Sequence, residues 1–179
     1  LILTFGIALK NPRFASADNL RDILLNNAHV AVMAVGTTMI IITGNIDISI
    51  GSMLAACAIV AGRAATAGWH PALVIGLTLA CGTMLGALNG LLVTGIGIPA
   101  IIVTLGTLSI FRGLVILIAK GRPIVNLPDW FMSIGTGRPA GIPIPVAIAV
   151  ITALAAYFLL AHTAFGREIY ALGDNKDAA

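Results

Sequence analysis

The 179-residue chain is 59% apolar and only 9% charged, with a mean hydropathy of +1.04. That composition excludes an ordinary soluble domain and points to a membrane protein. The net charge of +3 is small and dispersed, which leaves no basic face for nucleic acid.

Leu1–Leu9 reads as the tail of a membrane helix, and the chain as a piece of a longer protein. Lys10–Asn27 is polar and amphipathic. Asn11-Pro12 suggests a turn, Asp18, Arg21 and Asp22 a wet face, and Phe14, Leu20, Ile23 and Leu24 an apolar face lying flat at the interface. Ala28 to about Ala65 is one apolar tract. As a single helix it would extend ~55 Å against a hydrocarbon core of ~30 Å, so it must break. The break is Gly44–Gly51, GNIDISIG, which predicts helices over about Ala28–Thr43 and Ile48–Ala65. Gly68-Trp69-His70-Pro71 is a turn at the interface, with Trp69 as an aromatic anchor.

Ala72–Val93 is the next predicted span, and Gly82, Gly86 and Gly90 form a stripe on one of its faces. Small residues at that spacing let a neighbouring helix approach closely. Ile98–Ala119 follows and contains Arg112. Lys120–Gly141 is a Pro/Gly-rich loop, and Ile142–Ala161 is the last span. The fold class is thus all-α, a polytopic transmembrane bundle with roughly six crossings, the first truncated, and both chain ends on one side. Thr163–Ala179, TAFGREIYALGDNKDAA, is charged again. Gly173–Asp177 reads as a turn running into a helix start. Asp174 or Asn175 would cap it, Asp177 would sit in its first turn, and Ala178 and Ala179 would continue it.

The candidate chemistry is sparse. Asp47 is costly in a bilayer, ~2.5–3.5 kcal/mol at its centre. It reads either as a cap, with Asn45, for backbone groups freed at the break, or as a pathway residue; Ser49 is a further polar residue of the break. Arg112 can snorkel to the headgroups, or pair with Asp47 or with helix carbonyls. Asn89, beside the glycine stripe, can hydrogen-bond across helices. Cys57 and Cys81 lie in apolar runs and read as small packing residues, not as a disulfide or metal pair. His29, His70 and His162 are far apart. No G-x-x-x-x-G-K-[ST], H-E-x-x-H or G-x-S-x-G occurs, so neither a P-loop nor an intramembrane enzyme is indicated, and no metal site is expected.

Three segments, in order, resemble the ribose-type family of carbohydrate-importing ABC transporter permeases. GNIDISIGS resembles G-G-I-D-L-S-V-G-S, with Ile46, Asp47, Ser49, Gly51 and Ser52 matching and Asn45 departing. Asn-Ile-Asp wording is similar to the autoinducer-2 importer branch. IPAIIVTLGTLSIFRGL resembles I-P-x-x-x-x-T-L-G-x-x-x-x-x-R-G through Ile98, Pro99, Thr104, Leu105, Gly106, Arg112 and Gly113. The last stretch resembles T-x-F-G-R-x-x-Y-A-x-G-x-N-x-x-A-A through Thr163, Phe165, Gly166, Arg167, Tyr170, Ala171, Gly173, Asn175, Ala178 and Ala179. The resemblance covers about Asn19 to Ala179. It implies a partial importer transmembrane domain over 1–179, with residues 162–179 the cytoplasmic region that carries a helix coupling to a separate ATPase.

It further implies that ATP and Mg²⁺ belong to that ATPase and that this chain binds no cofactor of its own. The implied partners are a second permease chain and a periplasmic or tethered sugar-binding protein touching Gly68–Pro71 and Lys120–Gly141. The implied location is the bacterial inner membrane. A cytoplasmic Thr163–Ala179 places Lys10, Arg13, Arg21, Arg63, Lys120, Arg122 and Arg138 outside, against the usual positive-inside bias. The orientation taken here follows the resemblance. Two rivals predict differently: an ion-coupled secondary transporter would use Asp47 as its coupling acid, and a structural membrane protein would leave uptake unchanged when deleted.

Overall fold

A computed structural model describes residues 10–174. Among them are seven α-helices and two short 3₁₀ turns: α1 (Ala17–Ile42), α2 (Ile50–Thr66), α3 (Pro71–Thr94), α4 (Ala100–Ala119), α5 (Asp129–Thr136), α6 (Ile144–His162) and α7 (Ala164–Asp174), with the turns at Pro12–Ala15 and Pro139–Gly141. Four of them, α1, α3, α4 and α6, are long and apolar enough to cross a membrane, and α2 is a shorter apolar helix. At 1.5 Å per residue the four span ~28–39 Å, enough for a ~30 Å hydrocarbon core. Their large side chains point outward: Leu79, Met84, Leu117 and Ile151 are all well exposed, as surfaces solvated by lipid require. The expected first, truncated crossing lies outside the described residues.

The helices form two packed groups. In one, α2 packs on both α3 and α4, and α3 on α4. In the other, α1 packs on α6, and α7 packs on both. Small buried residues mediate the second group, Ala28 on α1 and Ala149 and Ala156 on α6, so the backbones approach closely. At the end of the bundle away from α7, a small core of Ala61, Ala64, Ala65 and Val74 joins α2 to α3. Trp130 and Phe131 of α5 cover it, edge to face at 5.5 Å between ring centroids.

Three sequence expectations are corrected. The helix expected over about Ala28–Thr43 starts earlier, because α1 runs unbroken from Ala17 and takes in most of the polar Lys10–Asn27 segment. The Ser16 side chain accepts from the Asn19 N–H at 3.2 Å, and Asp18 in the first turn pairs with Arg21 at 3.5 Å. A capped start with an acid at its positive end draws the polar segment into the helix. Lys120–Gly141 is not loop throughout, since α5 forms inside it and is fixed by the aromatic pair above. The turn expected at Gly173–Asp177 is also absent over its described part. α7 starts nine residues before Gly173, at Ala164, and passes through Gly173 to Asp174.

Candidate functional site

The predicted break occurs where α1 meets α2. α1 ends in a tight reversal: the Gly44 N–H donates to the Ile41 carbonyl at 2.9 Å and the Asn45 N–H to the Ile40 carbonyl at 3.2 Å. Gly44 takes φ +76°, which glycine adopts without penalty, and the two bonds satisfy carbonyls orphaned at the helix end. The Asn45 side chain closes back on Thr43, donating to its hydroxyl at 3.1 Å.

Asp47 organises the far side of the break. Its Oδ1 accepts from the Ser49 N–H and from the Ser49 hydroxyl, both at 2.7 Å. A carboxylate just ahead of α2 also opposes the positive end of that helix. The Ser49 hydroxyl, fully buried, in turn accepts from Asn89 Nδ2 on α3 at 2.8 Å. Thr104 of α4 reaches the Ile46 carbonyl at 3.5 Å, the outer limit of such a bond. Three helices and the break therefore converge on one polar cluster. Asn89 Oδ1 is buried and has no hydrogen-bond partner among the described residues. Unpaired buried acceptors are uncommon and call for a physical reason.

The cluster borders a cavity of about 390 Å³ between the two helix groups. Gly36 and Ile40 of α1 and Thr43 just after it form one wall; Met53 of α2, Gly86, Asn89 and Gly90 of α3 and Thr104 of α4 form the other. Its lining is mostly apolar with a few convergent polar groups, the usual make-up of a small-molecule pocket. The glycine stripe divides along its length. A Cβ on Gly82 would stand 3.4 Å from Cys57 Sγ and one on Gly86 3.7 Å from Met53 Cε, whereas one on Gly90 would meet nothing within 4 Å. Gly82 and Gly86 thus seat α2, and Gly90 faces open space.

Arg112 is not part of this site. It is exposed on α4, does not line the cavity, and makes no hydrogen bond or ion pair among the described residues. It lies eight residues, about 12 Å, along α4 from Thr104. Asn45, Asp47, Ser49 and Asn89 come together, while Arg112 stands apart. Thr104 and the α1 wall were not singled out from the sequence. An apolar helix face such as Gly36-Ile40 carries no polar signal, and Thr104 entered the sequence reading only as a match to the family motif.

α7 lies at the same end of the bundle as the break. The Thr163 hydroxyl donates to the Leu159 carbonyl at 2.6 Å and accepts from the Gly166 N–H at 3.1 Å, so one side chain closes α6 and opens α7. The seam of α7 is Gly166, Ile169 and Gly173, spaced three and four residues apart on one helix face. Gly166 and Ile169 are buried. A Cβ at Gly166 would collide with the carbonyl oxygens of Leu159 and Leu160, and one at Gly173 with that of Ile42, the last residue of α1. The helix is held to the bundle by backbone approach that only glycine permits. Phe165, Arg167, Tyr170 and Leu172 remain exposed. Asn175, Ala178 and Ala179 lie outside the described residues.

Residues 19–179 match the family described as "Branched-chain amino acid transport system / permease component". The chain is 38% identical to the ribose import permease protein of Haemophilus influenzae, over 99% of this chain and 56% of that protein. It is 36% identical to the autoinducer 2 import system permease protein of an Enterobacter species, over 100% of this chain and 52% of the relative. Against the autoinducer 2 permease of Klebsiella pneumoniae it is 40% identical, over 94% and 49%. The chain spans about half the length of the curated relatives it matches. No solved structure matches it. With all-helical, multi-pass architecture and a family match over nearly its whole length, the chain belongs to this family of membrane permeases.

Proposed function

We propose that the chain forms part of the membrane-spanning subunit of an ATP-driven importer for a sugar or sugar-like solute in a bacterial inner membrane. The observation that carries this reading is α7 and its seat. An amphipathic helix of eleven residues leaves the last span and presses its glycine seam on the bundle. Its exposed face, with Phe165 and Arg167, is free for a soluble partner. A separate ATPase holding ATP and Mg²⁺ docks there, on Phe165 and Arg167 and onward to Asn175, Ala178 and Ala179, while Gly166 and Gly173 serve the coupling by seating the helix on the bundle. The ribose and autoinducer 2 import functions named for the relatives support the solute class.

Gly173 touches the final carbonyl of α1, and the break begins one residue later. A push on α7 therefore passes directly to residues 43–49 and to the cavity behind them. ATP-driven closure of the ATPase pair moves α7, and the two helix groups change their separation, the packed elements shifting as units. A second permease chain completes the pathway. A solute-binding protein delivers to the opposite end, near Trp69 and the Lys120–Gly141 segment.

The test is uptake by proteoliposomes holding the full-length chain, its ATPase and its binding protein. ATP-dependent accumulation that survives ionophores is the expected result. Uptake that vanishes when a proton or sodium gradient is collapsed, with ATP intact, would replace this reading with an ion-coupled transporter acting through Asp47.

A further inference from the structure

Three cations meet where α2 and α4 end, away from α7, and two of them have no structural task. α4 closes in a left-handed turn at Lys120 (φ +52°) and Gly121 (φ +64°). The Gly121 N–H donates to the Ile116 carbonyl at 3.3 Å, the Lys120 N–H to that of Leu117 at 3.3 Å and the Arg122 N–H to that of Ala119 at 3.0 Å. Arg63 of α2 supplies the remaining bond, from Nη2 to the Ile118 carbonyl at 3.0 Å. The last four carbonyls of α4 are thus satisfied without the Lys120 ammonium or the Arg122 guanidinium. None of the three cations has an ion pair among the described residues.

All three side chains are exposed, and they line one cavity of about 380 Å³ that no described carboxylate lines. The cavity is built on fixed parts. Arg63 is tied across to α4, and Ile124 is seated against Gly62, where a Cβ would stand 2.9 Å from Ile124 Cδ1. Arg63 has used one of its five N–H donors, so the others face the same space as Lys120 and Arg122. A second groove, of about 320 Å³, shares Arg63 and is apolar. Ile59 and Val60 of α2, Leu77 of α3 and Ile118 of α4 line it, with Trp69 from the turn between α2 and α3. Ile59 is one turn before Arg63, and Leu77 lies about 9 Å along α3 from its start. The groove therefore runs from the helix ends toward the middle of the bilayer.

We infer that Arg63, Lys120 and Arg122 hold the phosphate of an anionic phospholipid, with one of its acyl chains in the groove along Ile59, Leu77 and Ile118. Guanidinium groups meet phosphate oxygens in pairs, and an ammonium adds a point charge. Basic pockets between membrane helices are receptors for such headgroups. The cavity selects an anionic lipid over a zwitterionic one, because it offers no acid to receive a headgroup ammonium. The groove selects lipid over protein. An acidic loop of a soluble partner can meet the cations but cannot follow Leu77 into hydrocarbon, whereas an acyl chain does. Free phosphate would leave the groove empty. The site is independent of the solute carried and of the importer reading.

The experiment uses the full-length chain in phosphatidylcholine vesicles holding a minor fraction of phosphatidylglycerol, with dibrominated acyl chains on one lipid or the other. Bromine quenches tryptophan on contact, and the Trp69 signal is the emission of wild type minus that of Trp69→Phe. Wild type is expected to favour phosphatidylglycerol at Trp69 about tenfold. Lys120→Gln/Arg122→Gln should reduce the preference to about twofold or less with an unchanged thermal midpoint, since neither side chain caps a helix. Arg138→Gln, an exposed cation outside the cavity, should leave it intact. Inorganic phosphate should compete no better than sodium chloride at equal ionic strength. A second readout needs no tryptophan variant: phospholipid counted on detergent-purified protein, with about one phosphatidylglycerol per chain in wild type and a loss in the double variant.

No preference in wild type, or one that Arg138→Gln lowers as far as the double variant does, overturns the site and leaves a general charge effect. A preference abolished by inorganic phosphate but not by chloride overturns the lipid and gives the cavity to free phosphate. No lipid preference, together with weaker capture of the binding protein by the double variant, also overturns it and assigns the cations to an acidic protein surface.

Discussion

The break at residues 43–49 and the helix α7 are both polar interruptions at one end of the molecule, yet they are held by opposite means. The break is held by side chains. Asp47, Ser49 and Asn89 form a directed chain of hydrogen bonds, local between Asp47 and Ser49 and crossing to α3 at Asn89. α7 is held by the absence of side chains. Gly166 and Gly173 let its backbone rest on the carbonyls of Leu159, Leu160 and Ile42. A side-chain network can be rewired by paired substitutions, because what matters is donor against acceptor. A backbone seat has no such remedy, since every residue other than glycine brings a Cβ to the same place. The more intolerant of the two regions is therefore the one proposed to bear the ATPase.

Substitutions that probe this contrast fall in order of size. Gly166→Val drives a branched side chain into two carbonyls and is expected to destabilise the full-length chain by about 3 kcal/mol or more, read as thermal unfolding in detergent. A loss under about 1 kcal/mol would show that α7 can sit elsewhere. Ser49→Ala removes the hub of the break and strands the Asn89 amide, which should cost about 2 kcal/mol in the same measurement. An unchanged midpoint would mean that the chain of bonds from Asp47 to Asn89 does not form.

Next comes the glycine stripe. Gly82→Leu overpacks the contact with Cys57 and is expected to cost about 1–2 kcal/mol. Gly90→Ala meets open space and gains helix propensity, so it should be neutral or stabilising by up to about 1 kcal/mol. Equal effects at the two positions would remove the distinction drawn between packing and cavity-facing glycines. The smallest effect belongs to Arg112→Gln, within about 0.5 kcal/mol, because the exposed guanidinium has no partner among the described residues.

The spans were legible in the sequence because apolar length is a direct requirement of the bilayer. The expected Ala72–Val93 is the observed Pro71–Thr94, and the break was visible because a tract from Ala28 to Ala65 is too long to cross once. Asp47 stood out because a carboxylate among apolar residues needs a reason. What could not be read depended on distance in sequence. Ser49 and Asn89 are forty residues apart, and nothing local announces that one orients the other. α5 was hidden because eight residues bounded by prolines look like loop until Trp130 and Phe131 find the α2–α3 core. α7 went unread because Gly173, which lies within it, carries the usual signature of a turn. Whether a glycine bends the chain or admits a neighbour is decided by tertiary packing.

The most direct test of α7 as the coupling element is copurification of the full-length chain from its native host in mild detergent, as wild type and as Gly173→Val. Position 173 faces the α1 carbonyl, so the substitution displaces the helix end while leaving its outer face chemically intact. An ATPase that accompanies wild type and falls at least tenfold with Gly173→Val is the expected result. An ATPase retained in full by Gly173→Val would place its contact elsewhere, and none found with wild type would contradict the importer assignment outright.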